Sequence, residues 1–333
     1  MVFVTGGTGL VGTHLIAELL AKGVPVRALK RGSSNTSIVD DLIDFYGLEK
    51  RSEIEWVEGD ILDFYSLKDA LKGVRHVYHA AAMVSLSPER EQLMREINET
   101  GTANLLNASL DSGVEKFAFV SSISTLGNSV NGSPVDESCM WQADEKHYPY
   151  AVTKFRAEME VQRASMEGLK TIIVNPSFII GPGDTSKSSI RFFREIKKGM
   201  AFYTTGSTGY VHARDVASVM IMLMESDIKN ERFVLNSENK PLKYLFDMTA
   251  EQLQIKPPRI KAGKALLELA WRAEYIKSKI TGKEPLLSKA SAKISVSDLK
   301  YTSKKLVEAT GFKFRSLDEA ITDAVAFMKK YGY

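Results

Sequence analysis

Short apolar runs alternate with longer stretches of helical periodicity through the first half of the chain. Buried-strand patterns occur at residues 2–5, 24–29, 54–57, 74–81, 116–120 and 169–174. Between them, apolar residues at helical spacing predict helices at 10–21, 89–112 and 150–167. Parallel strands need long crossovers, which these helices supply. The pattern therefore predicts an α/β fold with a doubly wound parallel sheet.

The pattern loosens beyond residue 177. Further helices are predicted at 189–198, 242–253, 262–279, 303–309 and 317–330, with loops rich in Gly, Ser, Thr and Pro between them. A strand at 209–211 and a helix at 215–225 are expected to return to the large domain. We therefore expect residues 1–176, with 209–226, to form the large domain, and 177–208 with 227–333 to form a smaller, mostly helical C-terminal lobe that binds the substrate.

The loop after the first predicted strand carries glycine at positions 6, 9 and 12. Glycine lets the backbone turn tightly and lets a pyrophosphate approach the main chain, and the helix N-terminus that follows attracts the same anion. A tight strand–helix turn without a ligand is the plain alternative. The strand before and the helix after favour a Rossmann-type dinucleotide site. Its expected residues are Gly6, Thr8, Gly9, Leu10 and Val11.

The second strand ends at Lys30 and Arg31, where an NAD-binding fold usually carries an acidic residue. Guanidinium and hydroxyl donors, here Arg31, Ser33 and Ser34, match the oxygens of a 2′-phosphate. The sequence therefore predicts a preference for NADP(H), with NAD(H) as the alternative. A solvated basic loop would have the same pattern.

Two later strand ends add candidate cofactor contacts. Asp60 is placed to accept a hydrogen bond from the adenine amino group, with Ile61 against the ring, or else to cap the helix that follows. The fourth strand ends in small residues, Ala80, Ala81 and Ala82. Side chains of that size would let a cofactor lie flat along the sheet edge.

Tyr150 and Lys154 are four residues apart and share one face of a predicted helix. A lysine ammonium near a phenol stabilises the phenolate, so we expect the pKa of Tyr150 to fall from about 10 toward neutral pH. Such a tyrosine exchanges a proton with a carbonyl or alcohol oxygen while hydride moves. For the spacing alone, a surface pair is the plain alternative.

The fifth strand ends at Ser121 and Ser122. We expect Ser122 to hydrogen-bond and polarise a substrate carbonyl, and Ser121 to make local turn contacts. Either serine by itself is equally typical of a turn at a strand end.

In this order, the motifs resemble the extended short-chain dehydrogenase/reductase superfamily over nearly the whole chain. Residues 97–102 resemble its central-helix motif, 175–183 its nicotinamide-proximal loop, and 211–217 its return strand and helix. The catalytic residues that the resemblance implies are Ser122, Tyr150 and Lys154. The further cofactor contacts that we expect are Val120, Tyr150, Lys154, Pro176, Ser177 and Phe178.

The resemblance is closer to one branch of that superfamily. Sugar-nucleotide epimerases and dehydratases usually carry one arginine after the sixth strand and another before the return strand, and residues 174–177 and 207–212 contain neither. Both segments are similar to dihydroflavonol reductases, cinnamoyl-CoA reductases and 3β-hydroxysteroid dehydrogenases, which act on largely apolar substrates. Residues 280–286 are similar to that branch and also to hopanoid-associated sugar epimerases, so the epimerase interpretation stays open.

Substrate contacts are expected in the loops that follow the catalytic strands. The candidates are Met83, Ser85, Ser122, Ser124, Met140, Tyr150 and Ser177. In the loop 128–148, Cys139, Met140 and Trp141 could wall an apolar pocket. Packing of the lobe would explain any one of these side chains equally well.

Composition narrows the possible classes. The 333 residues are 44% apolar and 26% charged with a net charge of +3, which is typical of a globular chain and indicates neither a nucleic acid nor an anionic membrane as a partner. With Cys139 as its single cysteine, the chain is expected to have no internal disulfide and no cysteine-rich zinc site. His76 and His79 are three apart on a predicted strand and point to opposite faces, so no metal site is expected there either. It shows no transmembrane run and no secretory signal pattern, so a cytoplasmic location is expected. The helix at 262–279 is interpreted as packing within the lobe, with contact to a membrane surface as the alternative.

Together these features predict an NADP(H)-preferring oxidoreductase that interconverts a carbonyl and an alcohol on a largely apolar small molecule. A sugar-nucleotide epimerase or dehydratase with tightly bound NAD(P) is the first alternative. A catalytically silent dinucleotide-sensing protein is the second. The family resemblance also implies a homodimer, formed through the long helices at 89–112 and 150–167.

Overall fold

The computed structural model describes residues 1–50, 52–85, 87–129, 132–142, 147–185, 190–282 and 285–333. Its strands are β1 Val2–Thr5, β2 Val26–Lys30, β3 Ile54–Glu58, β4 His76–His79, β5 Lys116–Val120, β6 Lys170–Pro176, β7 Phe178–Ile180, β8 Phe202–Tyr203, β9 Ser207–His212, β10 Glu231–Leu235, β11 Glu238–Pro241 and β12 Ile260–Lys261.

The α-helices are α1 Leu10–Ala21, α2 Ser37–Tyr46, α3 Phe64–Ala70, α4 Glu91–Arg95, α5 Gly101–Asp111, α6 Pro149–Met166, α7 Arg191–Lys197, α8 Ala213–Glu225, α9 Leu242–Gln252, α10 Lys264–Thr281, α11 Lys289–Ile294, α12 Lys304–Thr310 and α13 Leu317–Tyr331. A π-helical turn, Glu96–Thr100, joins α4 to α5. Short 3₁₀ turns lie at Pro88–Arg90 and Ile123–Thr125.

Seven strands in the described part of the chain form the main sheet, in the order β3-β2-β1-β4-β5-β6-β10. Every neighbouring pair in this sheet is parallel. Strands β1 and β5 are buried along almost their whole length because helices cover both faces of the sheet. The predicted doubly wound α/β fold is confirmed.

The two faces of the sheet have separate apolar cores. Helices α1, α2 and α8 cover one face, and α3, α5 and α6 cover the other. Lys116 of β5 fixes α8 to the sheet, since its Nζ donates to the carbonyl oxygens of Leu223 and Ser226, both at 2.7 Å, at the end of that helix. A cation at this position also complements the negative end of the helix dipole.

The strand that was expected to return to the large domain lies in another sheet. The return strand predicted at 209–211 exists as β9, but it pairs with β7 and β11 in a separate small sheet and not in the main sheet. The seventh strand of the main sheet is β10, which lies inside the segment 227–333 that was assigned to the lobe. Helix α8 does pack on α1, as expected for the returning helix.

The lobe lies against the beginning of α1. Its core joins α7, α9 and the first half of α13 around Phe193, Leu245 and Ile321. The loop after β7 reaches the glycine-rich segment, where a Cβ added at Gly183 would lie 2.8 Å from Leu10 Cδ1. None of the helices in the described ranges is both long enough and apolar enough to span a membrane.

Candidate functional site

The loop between β1 and α1 is packed so tightly that it requires glycine. Gly6 has φ +71°, and a Cβ there would lie 2.6 Å from the Ala80 carbonyl carbon. At Gly12 a Cβ would lie 2.1 Å from the Gly6 oxygen. No side chain caps the N-terminus of α1 at Gly9, and its first turn contains no acidic residue. This cradle fits the pyrophosphate of a dinucleotide, with the helix dipole directed at it.

The loop residues differ in how far they are exposed. Gly9 is exposed, Thr8 and Leu10 are partly buried, and Val11 is buried. Leu10 also touches the lobe at Gly183, so the expected cofactor site lies where the two parts of the molecule meet.

The turn after β2 carries hydrogen-bond donors and lies beside an acidic residue of β3 that the sequence interpretation missed. Arg31 is exposed, and its backbone N–H donates to Ser34 Oγ at 3.1 Å. Glu58, the last residue of β3, lies beside the same turn, where a Cβ added at Gly32 would be 3.0 Å from Glu58 Oε1. Because β2 and β3 are paired, a carboxylate from the neighbouring strand reaches the position where the sequence of β2 contains no acid.

Asp60 and Ile61 have different surroundings. Asp60 is exposed, and its Oδ1 accepts from the Leu62 N–H at 2.9 Å, while the helix cap of α3 is Asp63 and not Asp60. Ile61 is buried and contacts Gly101 in α5, where a Cβ would lie 2.7 Å from it. Its side chain therefore packs in the core, and the structure does not favour the expected contact with adenine.

The small residues after β4 lie directly beside the glycine loop. The Ala80 N–H donates to the Thr5 carbonyl at 3.2 Å, and Ala81 N lies within 2.6 Å of the position of a Cβ on Gly6. Ala82 is exposed. The backbone of Ala80 and Ala81 thus lies against the glycine loop, beside the expected cofactor position.

Tyr150, Ser122 and Lys154 come together at the carboxyl edge of the sheet. The Tyr150 phenol lies near the Ser122 hydroxyl, which acts to lower its pKa, and Ser122 Oγ accepts from the Ser124 N–H at 3.1 Å. Lys154, one turn further along α6, is buried, and its Nζ donates to the Val120 carbonyl at 2.8 Å and lies 4.0 Å from the centre of the Phe119 ring. Pro149 occupies the first turn of α6, a position that suits proline.

The expected direction of the Tyr150 pKa is wrong. Burial raises the pKa of this phenol well above its usual value, the neighbouring Tyr148 raises it further, and only the hydrogen bond from Ser122 lowers it. Burial also lowers the pKa of Lys154 to about 7, against the opposing effect of the Glu158 carboxylate. Desolvation outweighs the lysine in this arrangement because the ammonium is held at the Val120 carbonyl.

Sequence reasoning missed a buried carboxylate, Glu158, four residues after Lys154 on the same helix face. Its Oε2 accepts from Ser121 Oγ at 2.7 Å, Thr125 Oγ1 at 2.9 Å and Asn175 Nδ2 at 3.1 Å. Its Oε1 lies 3.3 Å from the guanidinium of Arg232 in β10. Ser121 is thus bound to a buried anion and does not make the local turn contact that we expected.

A second set of missed residues holds the loop after β4. Asn98, in the π-helical turn, accepts from the Met83 N–H at 2.7 Å and donates to the Met83 carbonyl at 2.9 Å. It also donates to Thr153 of α6 at 3.0 Å. The motif at 97–102 was noted in the sequence, but its contacts could not be derived because they join three separate elements.

His79 is a structural member of this edge. Its Nδ1 lies 2.7 Å from Thr5 Oγ1 and its Nε2 lies 2.9 Å from Thr102 Oγ1. Burial, with Lys154 nearby, lowers the pKa of His79 to about 3, so the ring is neutral at physiological pH. It joins β1, β4 and α5 beneath the expected cofactor position.

The expected substrate contacts are divided between two places. The backbone of Met83 is held by the two hydrogen bonds to Asn98, and Ser85, two residues further along the chain, is buried. Ser124 is partly buried in the 3₁₀ turn that follows Ser122. Met140 lies elsewhere, because its side chain is largely exposed and its sulfur is 3.8 Å from Arg232 Nη2.

The other residues proposed to wall the pocket are taken up by packing. Trp141 stacks between His147 and Phe155, with ring centroids 3.5 Å and 4.4 Å away. Cys139 packs against the cluster of Leu126 and Val135. The structure thus gives these two side chains a packing role.

The segment after β6 contains a polar atom without a partner. Ser177 is buried, its N–H donates to the Leu235 carbonyl at 2.9 Å, and its Oγ has no hydrogen-bond partner in the described residues. Pro176, just before it, ends β6. Phe178 follows Ser177, and the centre of its ring lies 5.9 Å from that of Phe192 and 6.0 Å from that of Tyr210. A buried hydroxyl without a partner beside an aromatic group is consistent with a ligand-facing position.

Comparison with known proteins agrees with these features. The family model "NAD dependent epimerase/dehydratase family" matches residues 2–235. The chain is 30% identical to a Synechocystis sp. protein named "Putative dihydroflavonol 4-reductase", over 99% of this chain and 95% of the relative. It is also 30% identical to "Sterol demethylase protein B" of Methylococcus capsulatus, over 99% and 98% of the two chains.

A solved structure extends the agreement to the whole fold. The crystal structure of gox2253 has a TM-score of 0.82 to this chain at 31% identity, and the match covers 100% of this chain and 98% of the other. The resemblance found in the sequence and the prediction of an NAD(P)-dependent oxidoreductase are both supported. The chain belongs to the NAD-dependent epimerase/dehydratase family, within the extended short-chain dehydrogenases/reductases.

Proposed function

We propose that the chain interconverts a ketone or aldehyde and an alcohol on a largely apolar small molecule, with NADP(H) as the preferred dinucleotide. The observation that carries this proposal is the approach of the Tyr150 and Ser122 side chains at the carboxyl edge of the sheet, with buried Lys154 one turn along α6. The pair stands at the sheet edge that also carries the glycine cradle. The aromatic group around Phe178 supports an apolar substrate.

The residues that would hold the dinucleotide are set out along this edge. The N-terminus of α1 would hold the pyrophosphate, Arg31 with Ser33 and Ser34 a 2′-phosphate, and Lys154 the nicotinamide ribose. Asp60 would accept from the adenine. When bound, the nicotinamide supplies or accepts the hydride.

The chain itself supplies the proton chemistry. In reduction, the Ser122 hydroxyl holds the substrate oxygen and the Tyr150 hydroxyl gives that oxygen its proton. The raised pKa of Tyr150 keeps the phenol protonated at neutral pH, which suits reduction. Oxidation of the alcohol requires Tyr150 to accept a proton, so its pH optimum is expected to be higher than that of reduction.

The reaction is tested by NADPH oxidation at 340 nm with a panel of apolar aldehydes, flavanonols and ketosteroids. Tyr150→Phe is expected to lower kcat/KM by about 10²–10⁴. Tyr65→Phe is the matched control, because this exposed tyrosine of α3 loses the same hydroxyl group away from the site. Full turnover by Tyr150→Phe would overturn the proposal. Conversion of nucleotide sugars without net NADPH consumption would support the epimerase alternative.

The dinucleotide preference is tested separately with two opposing variants. Arg31→Ser is expected to lower the ratio of kcat/KM for NADPH to that for NADH by about tenfold, because it removes a charge-assisted bond. Glu58→Gln is expected to raise the same ratio, since it removes the carboxylate beside Gly32. A ratio that Arg31→Ser leaves unchanged would contradict the NADP(H) preference.

A further inference from the structure

Helix α10 has two opposite apolar faces, and the rest of the lobe covers one of them. All 18 of its residues are described, and Leu267 is the buried one. Trp271, Glu274 and Ser278 continue the same face at helical spacing and are partly buried. This face packs on Ala292 of α11 and its neighbours. The tertiary structure thus fully accounts for the inner face.

The outer face is a stripe of apolar residues in the open. We call it the α10 stripe, and its members are Leu266, Leu269, Ala273, Ile276 and Ile280. The exposed fractions are 36% for Leu266, 68% for Leu269, 59% for Ile276 and 80% for Ile280. The 3–4–3–4 spacing aligns them along about 21 Å of helix, at 1.5 Å per residue. An apolar stripe of this length in the open marks an interaction surface.

The charge around the stripe is strongly positive. Residues 253–294, from the end of α9 to the end of α11, contain ten basic and three acidic residues, a net of +7. With +3 for the whole chain, the remaining residues carry −4. At 100° per residue, Arg272 and Lys279 border the stripe on one side and Lys277 borders it on the other. Each of the three forms an ion pair at the surface, with Glu268, Glu89 and Glu274 respectively, and such exposed pairs contribute little and exchange readily for another anion. Long cationic side chains on both borders can reach phosphates while the apolar side chains enter the layer between them.

We propose that the α10 stripe docks this protein on an anionic lipid bilayer, with its apolar side chains in the interface and the bordering cations at the lipid phosphates. A second copy of the same helix is a poorer occupant, because pairing two stripes would bring cations of the same sign to both seams. The proposal does not depend on the reaction that Tyr150 catalyses.

The test is sedimentation of the whole protein with vesicles of phosphatidylcholine, with and without phosphatidylglycerol. Wild type is expected to bind the anionic vesicles, and the double variant Leu269→Glu/Ile276→Glu to lose at least about tenfold in partition coefficient. Both side chains are largely exposed, so folding should be unaffected, and circular dichroism checks this. The matched control is Tyr65→Glu/Met166→Glu, which places the same charges at exposed positions on other elements and should bind like wild type.

A charge variant and a mass measurement complete the test. Arg272→Gln, Lys277→Gln and Lys279→Gln together should weaken anionic-vesicle binding by about fivefold for each charge removed. Absence of wild-type binding, or equal binding by the double variant, would overturn the proposal. A dimer in light scattering that the double variant dissociates, without vesicle binding by either protein, would assign the stripe to a second copy.

Discussion

Helices α6 and α10 have the same length, 18 residues, and nearly the same number of charged residues, five in α6 and six in α10. The two helices differ in where these charged residues lie. Helix α6 buries seven residues, among them Lys154 and Glu158, whereas α10 buries Leu267 and leaves most of its charged and apolar side chains exposed. Length, periodicity and charge content therefore do not decide whether a helix carries a site or a surface.

The difference lies in the partners that other elements bring. In α6, Lys154 meets the Val120 carbonyl, and Glu158 meets three donors and the Arg232 guanidinium. In α10, Arg272 pairs with Glu268 and Lys277 pairs with Glu274, both within the helix. Lys279 pairs with Glu89 of the first 3₁₀ turn, and both of these side chains are exposed. Buried charges need such partners, whereas pairs along an exposed helix contribute little.

The largest expected effect is at Glu158. Glu158→Gln should lower the free energy of unfolding by about 3 kcal/mol, because an amide cannot accept from all four partners and leaves the Arg232 guanidinium without an opposite charge. Urea unfolding measures it. The control is Glu160→Gln on the same helix, which has an exposed partner in Arg163 and should stay within about 0.5 kcal/mol. If both variants lost the same free energy of unfolding, burial of the Glu158 carboxylate would not explain its contribution to stability.

The next largest effect is the change in the free energy of unfolding with pH that results from the titration of Lys154. Its pKa is lowered from 10.5 to about 7 by burial. The unfolded state therefore binds one more proton than the native state between these values, and native stability rises with pH there. The free energy of unfolding of wild type, relative to that of Lys154→Met, should therefore rise by about 2–3 kcal/mol from about pH 7 to about pH 9. Below about pH 7 the difference between the two proteins should not change with pH.

Urea unfolding of both proteins across that range measures the difference. Lys277→Met on α10 is the control, because its ammonium is largely exposed and the difference from wild type should not change with pH. A flat difference for Lys154→Met would mean that the lysine is solvated in the native state.

The smallest effect contrasts the two faces of α10. Leu267→Ala should cost about 2 kcal/mol, since it leaves a cavity in the small core with Ala262 and Ala292. Leu269→Ala, two positions along, should cost less than about 0.5 kcal/mol, because the side chain is exposed. Thermal denaturation of the two variants compares them directly. A similar loss for Leu269→Ala would show that something covers the α10 stripe in solution.

Much of the sheet could be predicted because local signals were strong there. β1 and β5 occupy the residues expected from their apolar runs, and α1 begins where the glycine loop ends. The strand at β9 was also present in the pattern, but its partner was not, since pairing depends on residues far away in the sequence. The strand β10 was not predicted at all, and its pairing with β6 also joins segments that are far apart in the sequence.

At the site, the residue types could be predicted and their electrostatics could not. The spacing of Tyr150 and Lys154 placed both on one face of α6. The direction of the Tyr150 pKa depended on burial and on the position of the lysine Nζ, neither of which is a local property. Met140 and Trp141 lie in a predicted loop, but their neighbours, Arg232 and Phe155, come from β10 and α6.

The sequence by itself determined the alternation of strands and helices, the glycine cradle at Gly6 and Gly12, and the order of the motifs that place the chain in its family. These features follow from backbone sterics and from side-chain periodicity, which act over a few residues. Only the tertiary structure decided that Glu158 is buried against Arg232 and that the α10 stripe is left uncovered. Burial is a property of the assembled chain, since desolvation depends on which distant elements pack against a side chain.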